Sequence, residues 1–175
     1  MTNKRNIFLI GPSGVGKSTI GRQLSKLLKI DFFDSDQEIE RRAGANIDWI
    51  IDVEGEKGFR IREEKIITEL TKKNGIVLAT GSRSIISRTI RSHLSVRGIV
   101  IYLKMSSQPH ASHTKIHKDK TMFKKMHFLP GIDLEKFENT QNLIYEELSD
   151  IIIHSHGQSI KAVTKQILSL LDDSL

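Results

Sequence analysis

The sequence predicts an α/β fold, a parallel five-stranded sheet flanked by helices on both faces. Short apolar runs alternate along the chain with longer stretches at helical spacing, which is the pattern of such folds. The strand candidates are continuously apolar, as in residues 98–103, G-I-V-I-Y-L, and strands covered on both faces have that composition. A chain of 175 residues also suffices for one sizeable core, so we expect a single domain over 1–175.

Turn signals follow the first three predicted strands. The first precedes a glycine-rich turn, the second ends at D-S-D (34–36), and the third ends at Gly81. The strands are predicted at 6–10, 30–33, 75–80, 98–103 and 151–154.

The stretches between the strands have apolar residues at helical spacing. Those on the buried face are predicted to include Ile20, Leu24, Leu27 and Leu28 in the first helix, and Phe59, Ile66, Ile67 and Leu70 in the longest. Helices are predicted at 18–29, 36–43, 46–54, 56–73, 87–95, 132–148 and 158–172.

Residues 105–130 lack clear periodicity and contain two of the three prolines and four of the seven histidines. We expect a poor helix leading into a basic loop. His110, His113 and His117 fall roughly on one helix face, but no carboxylate cluster accompanies them, so a solvated face is a better interpretation than a metal site.

Composition excludes several classes of function. The chain has no cysteine, which rules out disulfides, zinc–thiolate sites and thiol nucleophiles. The apolar run near the N-terminus is too short for a signal peptide, and no run approaches a membrane span, so we expect a cytoplasmic protein without membrane contact. The net charge of +6 accompanies no nucleic-acid-binding motif, and we interpret it as a lysine-rich surface.

The segment G-P-S-G-V-G-K-S (11–18) matches the P-loop pattern and lies between a predicted strand and a predicted helix. Its glycines let backbone N–H groups point at phosphate oxygens, and the helix start adds unpaired donors. Lys17 is placed to reach the β- and γ-phosphates, and Ser18 to ligate Mg²⁺. The motif therefore predicts binding of ATP or another nucleoside triphosphate with Mg²⁺.

The P-loop leaves the phosphoryl acceptor open between water and a small-molecule hydroxyl, and the small size of the chain favours a small-molecule kinase. The acceptor should lie at the C-terminal ends of the parallel strands. There, Asp34 and Asp36 offer carboxylates for a metal-bound water and an acceptor hydroxyl, although Asp36 is also placed to cap the next helix. Arg60 either binds an acidic substrate or pairs with Glu63 or Glu64 on its own helix.

These segments together resemble the shikimate kinase family over nearly the whole chain. The resemblance is carried by residues 4–24, 34–40, 52–65, 75–81 and 143–150. It implies a P-loop kinase fold with a lid, here at about 110–130, and ATP-dependent phosphorylation of the 3-hydroxyl of shikimate. Such an enzyme needs ATP, Mg²⁺ and a small acidic hydroxylated metabolite, and we expect a monomer.

The resemblance also implies roles for individual residues. Lys17, Asp36 and Lys120 would be catalytic, and Asp36 would polarise the acceptor hydroxyl. Asp34 would order the water shell of the metal that Ser18 ligates. Nucleotide would be bound by Gly14, Val15, Gly16, Lys17, Ser18, Thr19, Lys120 and Gln158, and shikimate by Asp36, Arg60, Gly81, Ser82 and Gln141.

The chain departs from the family pattern mainly around the acceptor. Ser82 and Arg83 stand where the family has the second and third of three glycines, Lys120 where its lid has arginine, and Gln141 where it has an arginine that helps hold the carboxylate. Ser82 is expected to crowd the substrate, and to be strained if its φ is positive. Arg83 either damages the acceptor site or replaces the missing cation. The second alternative follows from its place beside the expected carboxylate site.

Three interpretations follow from this sequence. The first is a shikimate kinase of reduced efficiency. The alternatives are a degenerate relative that binds nucleotide without catalysis, and a kinase for another small hydroxylated acid.

Overall fold

A computed structural model describes residues 5–105 and 134–172. Its centre is a five-stranded sheet in the order β2-β3-β1-β4-β5, with every neighbouring pair parallel. The fold class predicted from the sequence is therefore confirmed. The strands are β1 (Asn6–Ile10), β2 (Asp31–Asp34), β3 (Ile76–Ala79), β4 (Gly98–Lys104) and β5 (Ile151–His154).

The helices agree with the predicted stretches to within a few residues at each end. They are α1 (Lys17–Leu28), α2 (Ser35–Ala43), α3 (Ile47–Leu70), α4 (Arg88–Arg97), α5 (Leu134–Leu148) and α6 (Ile160–Asp172). A short 3₁₀ turn over Ser84–Ile86 was not predicted. The predicted lid and its histidines lie outside the described residues.

Helix α3 is divided by a backbone break at Gly55. Its φ of 75° and ψ of 171° are non-helical, so the two helices predicted on either side of this position follow each other with a kink between them. Positive φ is unfavourable for residues with a Cβ, which explains a glycine at the break. The predicted end of α3 at residue 73 was wrong, since the helix stops at Leu70.

The core has two layers, one on each face of the sheet. Side chains alternate along β1: Phe8 and Ile10 pack with residues of α3, α4 and α5, whereas Ile7 and Leu9 pack with α1 and α6. This two-sided cover explains why the strands are apolar throughout.

Two predictions about the buried helix faces have different outcomes. In α3, Phe59, Ile66, Ile67 and Leu70 are buried as predicted. In α1, Ile20 and Leu24 are buried, but Leu27 is 53% exposed, so its assignment to the core was wrong. In the part of the chain that the structure describes, no helix is long and apolar enough to cross a membrane.

Candidate active site

The P-loop follows β1 and ends in the first turn of α1. Its backbone reaches positive φ at Gly11, Gly14 and Gly16, with values of 147°, 78° and 100°. The N-terminus of α1 has no side-chain cap and no acidic residue in its first turn, whereas α2, α3 and α4 each have a side-chain cap. The first N–H groups of α1 and the positive end of its dipole therefore suit an anion.

Lys17 and Ser18 begin α1 and point toward different partners. The Lys17 ammonium donates to the carbonyl oxygens of Gly11 and Pro12, at 2.7 and 2.8 Å, which holds its charge over the loop. The Ser18 hydroxyl donates to the Asp34 carboxylate. The structure thus joins the serine and the aspartate that the sequence assigned to one metal site.

Asp34 and Asp36 are close but differ in role. Asp34 ends β2, and its Oδ1 accepts from the backbone N–H groups of Asp36 and Gln37, at 3.0 and 3.2 Å. Asp34 is therefore the cap of α2, and the interpretation of Asp36 as the cap was wrong. Asp36 lies in the first turn of the helix, which leaves its carboxylate outside the capping interaction.

The pKa of the Asp36 carboxyl is raised from 3.8 to about 7. Burial is the main cause, followed by the negative charges of Glu63 and Asp34, whereas Lys17 and Arg60 oppose the shift. A carboxylate with a pKa near neutrality accepts a proton more readily than an ordinary aspartate, which suits a general base.

Arg60 is held by two glutamates on its own helix. Its Nη1 donates to Glu63 at 2.7 Å, while Nε and Nη2 donate to Glu56 at 3.0 and 2.8 Å. Glu63 is only 2% exposed, and burial raises the pKa of its carboxyl. The predicted alternatives for Arg60 are both compatible with this arrangement, because the guanidinium pairs with Glu63 and also lines the cavity described below.

Gly81 fits between two carboxylates at the end of β3. A Cβ at this position would lie 2.8 Å from both Asp36 Oδ1 and Glu63 Oε1. Its N–H donates to the buried Ser35 hydroxyl at 2.9 Å. A larger residue at position 81 would therefore displace both carboxylates, and it is this close approach, not backbone strain, that favours glycine, since the φ of Gly81 is not positive.

The Ser82 carbonyl oxygen is bound by helix α5. It accepts from the Tyr145 hydroxyl and, at 3.4 Å, from the Gln141 amide. Tyr145 is buried and stacks on Tyr102 with ring centroids 4.9 Å apart, so this anchor is rigid. Ser82 is not among the residues with positive φ, so the expectation of backbone strain there does not apply.

Arg83 extends from the same loop toward Arg60. Its guanidinium lies over the Phe137 ring, 5.4 Å from the centroid, and its Nη1 is 3.8 Å from Glu56 Oε1. Its buried Nε has no hydrogen-bond partner among residues 5–105 and 134–172. Burial lowers the pKa of the guanidinium, and the charge of Arg60 lowers it further.

One cavity of about 410 Å³ joins the P-loop to these acidic and basic groups. It brings together most of the residues that the sequence singled out for nucleotide and substrate. The lining comprises Ser13, Gly14, Gly16, Lys17, Ser18, Thr19, Asp34, Asp36, Phe59, Arg60, Glu63, Thr80, Gly81, Ser82 and Arg83.

Other predicted site residues lie elsewhere. Val15 packs against the apolar core on the α1 side, and Gln141 contacts the loop backbone without lining the cavity. Gln158 is exposed beyond β5 and donates to the His154 carbonyl at 2.7 Å. Lys120 lies outside the described residues.

Several lining or supporting residues were not predicted as site residues. Phe59 lies under the Arg60 guanidinium at 5.1 Å, and Glu63 orients that guanidinium from within the protein. The spacing of Arg60 and Glu63 on one helix signalled their pairing, but not the burial of Glu63 beside Gly81. No local pattern signalled Thr80 or Ser35, whose partners are distant in sequence.

Comparison with known proteins identifies the family. A family model described as shikimate kinase matches residues 13–172. The chain belongs to the shikimate kinase family. It is 51% identical over 174 residues to "Shikimate kinase 1" of Erwinia tasmaniensis, with 99% of this chain and 100% of the relative covered. It is 50% identical to the Yersinia enterocolitica protein of that name, with the same coverage.

Solved structures of shikimate kinases have the same fold. The Acinetobacter baumannii enzyme in complex with shikimate is 36% identical and superposes with a TM-score of 0.79, covering 98% of this chain and 94% of that one. The Aquifex aeolicus enzyme is 26% identical with a TM-score of 0.75, covering 97% of each chain. Both superpositions extend over nearly the whole chain, and they confirm the P-loop kinase fold of this family member.

Proposed function

We propose that this protein transfers the γ-phosphoryl group of ATP to the 3-hydroxyl of shikimate. The observation that carries the proposal is the cavity in which the P-loop, the Asp36 carboxylate and the Arg60 guanidinium face one space. Phosphoryl transfer depends mainly on positioning and charge neutralisation, and these three groups supply a phosphate cradle, a base and a carboxylate partner. Membership of the shikimate kinase family supports this substrate.

The nucleotide phosphates are assigned to the P-loop and the start of α1. The positive-φ glycines orient the loop backbone, and the uncapped helix N-terminus offers N–H donors to phosphate oxygens. The Lys17 ammonium exchanges the carbonyl oxygens of Gly11 and Pro12 for phosphate oxygens when nucleotide binds. Lys120 is proposed as a further cation for the nucleotide, and Gln158 as a contact on its adenine side.

The residues present also fit a magnesium ion. The Ser18 hydroxyl and the Asp34 carboxylate are hard oxygen donors in direct contact, and Mg²⁺ prefers such ligands while retaining several waters. We assign Ser18 as a direct ligand and Asp34 as a ligand through water. A bound Mg²⁺ would neutralise charge on the phosphates.

Asp36 is the proposed base. The acceptor oxygen forms its bond to the γ-phosphorus as the bond from that phosphorus to ADP breaks, and the hydroxyl proton passes to the Asp36 carboxylate. The raised pKa, about 7, matches this late proton transfer near neutral pH. Glu63 contributes to that pKa and, through its ion pair, orients Arg60 for the acceptor's carboxylate.

The proposal is tested by measuring shikimate 3-phosphate formation with purified protein, ATP and Mg²⁺. We expect turnover that depends on shikimate and saturates with it. Because Asp36 must be ionised, kcat/KM should fall about tenfold per pH unit below an apparent pKa near 7.

Three outcomes of this assay would count against the proposal. Calorimetric binding of ATP with no transfer to shikimate at high enzyme concentration would favour a non-catalytic nucleotide-binding relative. A preference for a different hydroxylated acid in a panel of acceptors would reassign the substrate. A kcat/KM that is flat between pH 5 and 8 would remove Asp36 from the role of base.

A further inference from the structure

The Arg83 side chain is a largely buried cation without a matching acceptor. It is 17% exposed, its Nε is buried and unpartnered, and its closest carboxylate oxygen, on Glu56, is 3.8 Å away, beyond hydrogen-bond distance. These statements concern residues 5–105 and 134–172. Withdrawing the Nε–H donor of an arginine from water without an acceptor is unfavourable, and the guanidinium keeps further donors on its Nη nitrogens, so this site suits an anionic ligand.

Arg60 lies next to Arg83, lines the same cavity and has N–H donors to spare. Its hydrogen bonds to Glu56 and Glu63 use three of its five N–H groups, which leaves one on each Nη nitrogen. Glu56 Oε1 is the acceptor of two of these bonds and is also the atom nearest to Arg83 Nη1, so the two guanidinium groups share this neighbour. Two adjacent cations repel each other, and the Glu56 carboxylate, which also accepts two hydrogen bonds from Arg60, offsets only part of this repulsion at Arg83; a bound anion would offset more of it.

The backbone that carries Arg83 is fixed from helix α5. Tyr145 and Gln141 both donate to the Ser82 carbonyl oxygen, and the Phe137 ring lies beneath the Arg83 guanidinium. Side chains locked by packing and hydrogen bonds lose little freedom when a ligand binds. The position of Arg83 is therefore prepared before any ligand arrives.

We propose that Arg83 binds the carboxylate of the acceptor together with Arg60, and so sets the preference of this protein for an acidic substrate. This inference rests on the proposed function for the identity of that acceptor. Arginine suits the task because its planar fork matches a carboxylate bidentately. In this arrangement Gln141 acts on the substrate only indirectly, by holding the loop.

The test compares Arg83→Ala and Arg83→Lys with wild type, using Arg88→Ala as the matched control. Arg88 is an exposed arginine at the start of α4 and does not line the cavity. Binding of shikimate and of its methyl ester is measured by calorimetry with Mg²⁺ and a non-hydrolysable ATP analogue, and KM and kcat are measured with ATP.

We expect Arg83→Ala to weaken shikimate binding by about 30-fold or more, because one charged partner of a bound carboxylate is lost. Arg83→Lys should recover part of this loss, and Arg88→Ala should match wild type. Affinity for the methyl ester, which has no carboxylate charge, should change by less than about threefold in Arg83→Ala. ATP-analogue affinity should be retained in each variant, which confirms that the variants are folded.

The outcomes separate this inference from the proposed function. If Arg83→Ala binds and phosphorylates shikimate like wild type, the role of Arg83 is overturned and the proposed function stands. If wild type binds shikimate, Arg83→Ala does not, and neither turns it over, the proposed function fails while the carboxylate contact stands. Equal losses for shikimate and its methyl ester would also overturn the carboxylate contact.

Discussion

The two halves of the cavity are built in different ways. The half that we assign to the nucleotide consists largely of backbone: the P-loop glycines and the uncapped N-terminus of α1 present N–H groups within one continuous segment. The half that we assign to the acceptor consists of side chains from α2, α3 and the loop after β3, and it places like charges together, Asp36 with Glu63 and Arg60 with Arg83. The first half depends on local geometry, whereas the second depends on charges that the proposed substrate would help to balance.

The largest expected effect comes from removing the charge of Asp36. Asp36→Asn should lower kcat by about 10²–10⁴-fold, the range for loss of a general base, while ATP binding is retained. Asp48→Asn, which removes an exposed carboxylate from the first turn of α3, should leave kcat unchanged. A fully active Asp36→Asn would show that transfer to the acceptor does not depend on the charge of Asp36, and would contradict the role given to charges in the acceptor half.

The same variant should also be more stable than wild type at alkaline pH. A carboxyl whose pKa is raised in the folded state opposes folding once it is ionised: stability falls as pH rises from the ordinary pKa of 3.8, and the loss is complete above about 7. Asp36→Asn removes this loss, so its Tm at pH 8 should exceed that of wild type by several degrees, with about 2–4 °C per kcal/mol. At pH 5, where Asp36 is protonated, the difference should be much smaller.

The next largest effect is expected from filling the space at Gly81. The Cβ of Gly81→Ala would lie 2.8 Å from an oxygen of Asp36 and of Glu63, so both carboxylates must move. We expect kcat/KM for shikimate to fall by about 10²-fold, because small displacements of reacting groups have effects of this size. The KM for ATP should change little, since the proposed phosphate site lies in the other half.

A control for this variant loosens the loop without crowding it. Ser84 is buried, and its hydroxyl donates to the Gly81 carbonyl at 2.8 Å. Ser84→Ala should lower the unfolding free energy by about 1 kcal/mol and leave kcat/KM within about threefold of wild type. Equal kinetic losses in both variants would mean that loop rigidity, and not the position of the carboxylates, is what Gly81 supplies.

This difference in construction also explains what the sequence could predict. The five strands, the P-loop and the break between two helices at residue 55 are determined by periodicity and glycine placement over a few residues, and each was predicted, although the kink that joins those helices at Gly55 was not. The cap of α2 was assigned to the wrong aspartate, because either residue of D-S-D has the right chemistry. The burial of Glu63 against Gly81 depends on contacts between distant segments, which no local spacing encodes.

A smaller effect is expected from restoring an arginine at position 141. Gln141→Arg alone should change the KM for shikimate by less than about threefold, because Arg83 already supplies a cation and a third one adds repulsion. In the Arg83→Ala background, the same substitution should lower KM by about tenfold, since the new guanidinium replaces the missing one. An equal gain in both backgrounds would show that the two positions act independently.

The smallest effect is expected at Ser82, although the sequence comparison with the family drew attention to it. Ser82 has no positive φ, and its described contacts are made by its carbonyl oxygen, which a glycine retains. Ser82→Gly should therefore relieve no strain, and it should lower the unfolding free energy by about 0.5–1 kcal/mol through added freedom of the unfolded chain. The KM for shikimate should remain within about threefold of wild type if Arg83, held by the same carbonyl anchor, dominates carboxylate binding. A tenfold or larger drop in KM would instead show that the Ser82 side chain crowds the substrate, and would make this residue the main defect of the acceptor half.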